Sequence, residues 1–70
     1  MTEYLTAEEL NKLKKELNYL ETVKRKEISK LIERAASFGD LSENAAYTEA
    51  KEQQTFLQGK ILKAARETSN

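Results

Sequence analysis

The helical pattern of this chain stops in one place, the stretch Phe38-Gly39-Asp40-Leu41-Ser42-Glu43-Asn44-Ala45-Ala46-Tyr47. Gly39 suits the end of a helix, because glycine adopts the left-handed backbone conformation without steric cost. Asp40 and Glu43 follow it and are three residues apart. The stretch therefore predicts the tip of a helical hairpin, residues 38–43, and this tip presents two carboxylates.

Composition limits the chemistry open to the chain. It has 70 residues, 34% of them charged, and contains no proline, cysteine or histidine. A chain of this size forms at most one small domain and cannot enclose a large pocket, which argues against a self-contained small-molecule enzyme. Any metal site has to use carboxylates, which favour magnesium, calcium or manganese. No stretch is apolar enough for a signal peptide or a membrane span, so a cytoplasmic protein without a membrane partner is expected.

Charge is unevenly distributed along the chain. The formal net charge is zero, which is not typical of a generic nucleic-acid binder. The segment 35–50 nevertheless contains three acids and no base: Asp40, Glu43 and Glu49. Basic residues collect in the first predicted helix, where glutamates are interspersed with them, and this mixture favours a solvated helix surface.

The first helix is predicted to follow a short lead-in, residues 1–5, and to run from about Ala7 to about Ser37. Thr6 and Glu9 have the spacing of a capping box, in which each side chain bonds the backbone N–H of the other residue. A coiled-coil seam follows, with spacings of three, four and three: Leu10, Leu13, Leu17 and Leu20. The strict register then loosens, because Lys24 and Glu27 occupy the next two seam positions. Other residues continue the apolar face: Val23, Ile28, Leu31, Ile32 and Ala35.

A second helix is predicted from about residue 41–43 to Arg66. It carries its own heptad seam: Ala50, Gln54, Leu57, Ile61 and Ala64. Two helices joined by a few residues fold back antiparallel. The sequence therefore predicts an all-α protein, an antiparallel two-helix coiled-coil hairpin that forms one domain, residues 1–70.

Folding about the tip predicts which residues of the two helices meet. It places Leu31 near Ala50, Leu20 near Ile61 and Leu17 near Ala64. Leu10 and Leu13, at the apolar base, are left with few or no partners. Two interpretations of this base are open: the chain self-associates there, or a further domain of the protein is missing.

The acid pair itself has two interpretations. In the first, Asp40 is the N-cap of the second helix and Glu43 is its N3 residue, a pattern close to a capping box that also suits the helix dipole. In the second, the exposed pair enters a partner's channel at the end of a thin rod and holds a divalent ion. Magnesium is usually bound by one or two carboxylates, and two such ions can clamp a phosphoryl transfer. One side chain can serve both roles.

Several stretches resemble a known family, the N-terminal coiled-coil domain of the GreA/GreB transcript cleavage factors. The resemblance rests on Gly39-Asp40-Leu41-Ser42-Glu43-Asn44-Ala45-Ala46-Tyr47, on Ala50-Lys51-Glu52-Gln53-Gln54 and on Phe56-Leu57-Gln58-Gly59-Lys60-Ile61. The first helix resembles the family at Tyr4-Leu5-Thr6, in the run from Leu10 to Leu20 and at Lys24-Arg25-Lys26-Glu27-Ile28. The resemblance extends over nearly the whole chain.

The resemblance implies a hairpin that inserts into the secondary channel of bacterial RNA polymerase and stimulates cleavage of backtracked 3′ RNA. Asp40 and Glu43 match the family's acid pair, which helps to hold a second Mg²⁺ ion and the attacking water in the polymerase active centre. Lys51 matches a basic position that meets the extruded RNA in the family, and a solvated helix lysine is the alternative interpretation of this residue. Such a factor is not an enzyme alone, since it lends carboxylates to another enzyme. No Mg²⁺ is expected in the free protein, because two carboxylates in water are too few ligands.

The chain also departs from the family pattern. Ala46 stands where an acid is common, and Ala36 stands where some members have a base. Tyr47 matches a motif aromatic and is expected to pack beneath the tip. The family's C-terminal globular domain is expected to be absent, which predicts weaker polymerase binding. Two alternatives remain: a hairpin that occupies the channel and inhibits the polymerase, or a structural, oligomerising coiled coil whose tip acids only cap a helix.

Overall fold

A computed structural model describes residues 5–69 of the chain. Its helical elements are α1 (Ala7–Tyr19), a π-helical turn (Leu20–Lys24), α2 (Arg25–Ala36) and α3 (Ala45–Thr68). The first three run end to end as one long helix, the first arm, because Leu20 and Arg25 at their junctions keep right-handed helical backbone angles. The second arm, α3, returns beside it and packs against all three segments. The predicted all-α hairpin is confirmed. The predicted lead-in lies, apart from Leu5, outside the described residues.

The hairpin is long and thin, with extents of 48 × 23 × 12 Å. The loop 37–44, which contains the tip, joins the arms at one end of the long axis. Within residues 5–69, neither arm combines the length and the apolar composition that crossing a membrane requires.

The start of α1 is the predicted capping box. The backbone N–H of Glu9 donates to the Thr6 hydroxyl at 3.0 Å, and the backbone N–H of Thr6 donates to Glu9 Oε1 at 3.1 Å. Each bond satisfies a donor that has no acceptor within the helix. The first arm therefore begins where the local sequence pattern predicts.

The capping box makes a pH-dependent contribution at Glu9. Hydrogen bonds from the Thr6 backbone N–H, and secondarily from the Thr6 side chain, lower the pKa of Glu9 from its ordinary value of 4.5. Because the folded-state pKa is depressed, the stabilisation is present above pH 4.5 and is lost as the pH falls through the lowered folded value. A carboxyl NMR titration should place the Glu9 midpoint below 4.5, and Thr6→Ala should raise it. A Glu9 midpoint at or above 4.5 in the wild-type chain would contradict this assignment.

The core is a single seam between the two arms. Its buried members in the first arm are Leu20, Ile28 and Ala35, and those in α3 are Ala50, Leu57, Ile61 and Ala64. The predicted α3 seam is thus buried at four of its five positions, and the fifth, Gln54, is half-buried. Leu20 and Ile61 lie in one apolar cluster, as the folding about the tip predicted.

The π-helical turn explains why the heptad register loosens after Leu20. The next buried residue of the first arm is Ile28, eight positions on instead of seven. A π turn accommodates one extra residue, and here the N–H of Arg25 bonds to the carbonyl of Leu20, five residues back. Thr22 supplements the widened turn by donating its hydroxyl to the Asn18 carbonyl at 2.7 Å. The extra residue brings Ile28 onto the seam and leaves Glu27 exposed.

The base of the hairpin is less well covered than its middle. Leu10 and Leu13 are half-buried, whereas Leu20 is buried. Self-association through Leu10 and Leu13 stays a prediction.

Candidate functional site at the hairpin tip

The first arm ends as the glycine predicts. The N–H groups of Phe38 and Gly39 bond to the carbonyls of Ala35 and Ala36, both at 3.1 Å, so the last turn tightens. Gly39 then adopts φ +87°, in the left-handed region where a side chain would be strained. Asp40 follows with φ +21°, a backbone conformation that Asp tolerates better than most residues. This pair of residues turns the chain away from the axis of α2.

Asp40 does not cap the second arm, so the first of the two interpretations of the acid pair is wrong. Its backbone carbonyl accepts from the N–H of Glu43 at 3.2 Å, and its carboxylate Oδ1 accepts from the Ser42 hydroxyl at 2.8 Å. Residues 40–43 thus form a separate turn ahead of α3. Glu43 is consequently not the N3 residue of that helix.

Asn44 is the N-cap of α3, and sequence reasoning missed it. Its Oδ1 accepts from the N–H of Tyr47 at 3.0 Å, in the usual capping position. Its Nδ2 donates to the carbonyl of Ala35 at 2.6 Å and to that of Gly39 at 3.3 Å. Asparagine caps helices as well as aspartate does, so residue type alone could have suggested Asn44. An aspartate could not make these last two bonds, because an ionised carboxylate has no hydrogen to donate to a carbonyl.

Both tip acids are solvent-exposed. Within residues 5–69, neither Asp40 nor Glu43 takes part in an ion pair, and the pair that does form joins Lys24 to Glu27 at 3.9 Å. Two apolar side chains flank the acids and are exposed as well, Phe38 at 70% and Leu41 at 46%. The tip therefore presents two carboxylates that no cation of the described hairpin neutralises.

The acid pair fits a shared magnesium site better than a self-contained one. In the part of the chain that the structure describes, no three acidic side chains converge as metal ligands. Magnesium retains several waters and commonly takes only one or two protein carboxylates beside substrate phosphates. Asp40 and Glu43 can supply that number, provided that a partner supplies the rest.

Lys51 lies on α3, two turns beyond its N-cap. It lines a shallow groove with Leu41 and Tyr47, which places it on the tip half of the hairpin. Its Nζ donates to Gln54 Oε1 at 3.1 Å, an exposed contact that leaves the ammonium accessible. A contact between Lys51 and RNA stays a prediction. Tyr47 is half-buried, which agrees with packing beneath the tip.

The two departures from the family pattern lie on opposite sides of the loop 37–44. Ala46 is exposed near the start of α3, and Ala36 is half-buried at the end of α2.

Comparison with known proteins identifies the family of the chain. A family model for GreA and GreB, described as "Transcription elongation factor, N-terminal", matches residues 3–69. The transcription elongation factor GreA of Clostridium botulinum (strain Langeland) is 57% identical over 58 residues, which are 83% of this chain and 36% of that protein. GreA of Thermoanaerobacter pseudethanolicus is 56% identical over 57 residues, or 81% of this chain and 36% of its own length.

The chain thus spans about a third of the length of these relatives, 36% in each case. No solved structure matches it. The family model nevertheless covers almost every residue, including the tip and both arms. The chain belongs to the family of the N-terminal domain of the transcription elongation factors GreA and GreB.

Proposed function

We propose that this hairpin inserts into the secondary channel of bacterial RNA polymerase and stimulates cleavage of backtracked 3′ RNA through Asp40 and Glu43. One observation carries the proposal: two exposed carboxylates lie in one turn at the end of a rod whose extents are 48 × 23 × 12 Å. Membership of the GreA/GreB family supports the choice of polymerase as the partner. Such a partner places the chain in the cytoplasm.

The shape of the hairpin suits a narrow channel. Its cross-section, 23 × 12 Å, is that of two helices lying side by side. The buried seam holds the two arms together, so the tip is presented on a paired support. A rod of this kind can carry the acid pair to a site that a globular domain cannot enter.

The tip contributes charge and hydrogen-bond acceptors to chemistry that the polymerase performs. Asp40 and Glu43 would hold a Mg²⁺ ion together with ligands from the polymerase, and the bound ion would supply Lewis-acid polarisation of the scissile phosphate. A carboxylate of the pair can also accept a hydrogen bond from the attacking water, which orients it, and then take its proton as the water attacks the phosphorus. Water adds across one phosphodiester bond of the RNA, and a short 3′ fragment leaves. The chain is therefore an activator of the polymerase and not an enzyme by itself.

Lys51 extends the proposed site toward the RNA. Its accessible ammonium lies on the tip half of α3 and can approach the phosphates of the extruded 3′ segment. A phosphate contact of this kind adds affinity but no sequence preference.

The test is a gel assay of RNA shortening in halted, backtracked bacterial polymerase with magnesium. At saturating concentration, the chain should raise the cleavage rate at least about 10-fold, and Asp40→Asn or Glu43→Gln should remove most of that gain, since loss of groups that support a metal typically costs about 10–100-fold. Glu49→Gln is the matched control, because it removes one exposed acid from α3 and leaves the turn 40–43 intact. It should retain the wild-type rate.

Competition with a two-domain GreA separates the alternatives. A chain that displaces GreA yet slows cleavage is a channel-occupying inhibitor, and this outcome contradicts the proposal. A chain that neither competes nor accelerates, and whose mass in solution rises with concentration, is an oligomerising coiled coil.

A further inference from the structure

We propose that Asn44 is a positioning residue that joins the tip to both arms, so that Asp40 and Glu43 reach the polymerase in one arrangement. The proposal rests on the function proposed for the acid pair. It concerns a residue that bears no charge and is itself half-buried behind the exposed turn.

Asn44 uses both ends of its side-chain amide. Its Nδ2 donates to the Ala35 carbonyl at 2.6 Å, in the last turn of α2, and its Oδ1 accepts from the Tyr47 N–H at 3.0 Å, in the first turn of α3. Asn44 thus adds a second donor to a carbonyl of one helix end and satisfies an N–H of the other that has no acceptor within its helix. The amide bridges the two helix ends.

The contact to Ala35 has no counterpart elsewhere in the described hairpin. Every other hydrogen bond of a side chain in residues 5–69 joins residues at most five apart, whereas this one spans nine residues and crosses between the arms. Apolar packing holds the arms along their length, but packing alone permits small sliding and twisting. A hydrogen bond at the base of the loop fixes the two helix ends at a defined separation.

The same amide also acts directly on the backbone before the first acid. Its Nδ2 reaches the Gly39 carbonyl at 3.3 Å, the peptide group that leads into Asp40. Within the turn, the Ser42 hydroxyl and the Glu43 N–H bond to Asp40, so residues 40–43 move as a unit. Asn44 therefore determines how this unit is oriented on the rod. Reacting groups misplaced by about 1 Å can lose about 10²-fold in rate.

Two substitutions separate positioning from helix capping. Asn44→Asp keeps an acceptor for the Tyr47 N–H and remains a favourable N-cap, but an ionised carboxylate cannot donate to Ala35 or Gly39. Asn44→Ser is also a good cap, carries no charge and is too short to bridge the arms. Agreement between the two variants excludes an effect of the added charge. Asn11→Asp, at an exposed site on α1, is the matched control for that charge.

The experiment measures cleavage by backtracked polymerase over a range of chain concentrations, with amide hydrogen exchange of each free variant by NMR. Both Asn44 variants should keep the helical circular dichroism and a half-saturating concentration within about twofold of wild type, because capping and the arms persist. Their maximal rate should fall about 10-fold or more, and exchange at the Glu43 N–H should accelerate. Asn11→Asp should match wild type in all of these measurements.

Two results would overturn the inference, and they differ in kind. If the wild-type chain accelerates cleavage and Asn44→Ser does so to the same maximum, Asn44 has no positioning role while the function of the acids stands. If the wild-type chain itself never accelerates cleavage, the proposed function fails and the positioning role fails with it.

Discussion

Leu57→Ala is expected to unfold most of the hairpin at room temperature. Leu57 is 5% exposed and lies in the apolar cluster with Leu20, Ile28 and Ile61. Truncating a buried leucine costs about 2–5 kcal/mol, because transfer energy is lost and a cavity remains. A core in a chain this small supplies at most about 3–5 kcal/mol of net stability. Far-ultraviolet circular dichroism should therefore show a large loss of helix without denaturant.

Phe56→Ala is the matched control for this unfolding. Phe56 is the preceding residue of the same helix and is larger than Leu57, but it is 73% exposed. Its removal should change the free energy of unfolding by no more than about 0.5 kcal/mol. Equal helix loss in the two variants would contradict a core formed by one seam. Retention of full helicity in Leu57→Ala would show that the arms do not depend on this cluster.

Deletion of Ser29 is expected to disrupt the tip half of the hairpin, whereas deletion of Thr22 is expected to be tolerated. Removing one residue from a regular helix rotates everything beyond it by about 100°. Without Ser29, Glu33 would replace Ile32 beside the core cluster, and Ala36 would replace Ala35 opposite α3. Without Thr22, the π turn can close into an α-helix, and Leu20 and Ile28 then stand seven positions apart, in heptad register.

The two deletions are well matched, since each removes one exposed hydroxyl residue from the first arm. Urea unfolding followed by circular dichroism should give a midpoint at or above that of wild type for the Thr22 deletion. The Ser29 deletion should unfold at much lower urea or lack a cooperative transition. If the two deletions lower the urea midpoint equally, the π turn does not restore the heptad register of the first arm.

Most of the fold could be predicted because it depends on local spacing. The capping box needs only Thr6 and Glu9, and the end of the first arm needs only a residue such as Gly39 that tolerates the left-handed region. The α3 seam could be predicted because an uninterrupted helix keeps its heptad pattern. The acid pair could be recognised as a candidate site for the same reason, because Asp40 and Glu43 are close together in the sequence.

The local structure around the candidate site could not be predicted from the sequence. Asp40, Ser42 and Asn44 are all residues that cap helices, so spacing could not select among them. Asn44 is favoured as the cap because its amide also bonds to the carbonyl of Ala35. These two groups meet only when the arms have folded together. As a result, α3 begins at Ala45, and the acids lie in a turn of their own.

A two-helix hairpin with an acidic tip could be predicted from the amino-acid sequence, since periodicity, caps and the glycine turn are properties of neighbouring residues. The position of the extra residue in the first arm and the side chain that links the arms could not be predicted in this way. Both depend on contacts between the arms. The π turn between Leu20 and Lys24 and the bond from Asn44 to Ala35 meet the geometric demands of packing one arm against the other. Those demands exist only when both arms are in place.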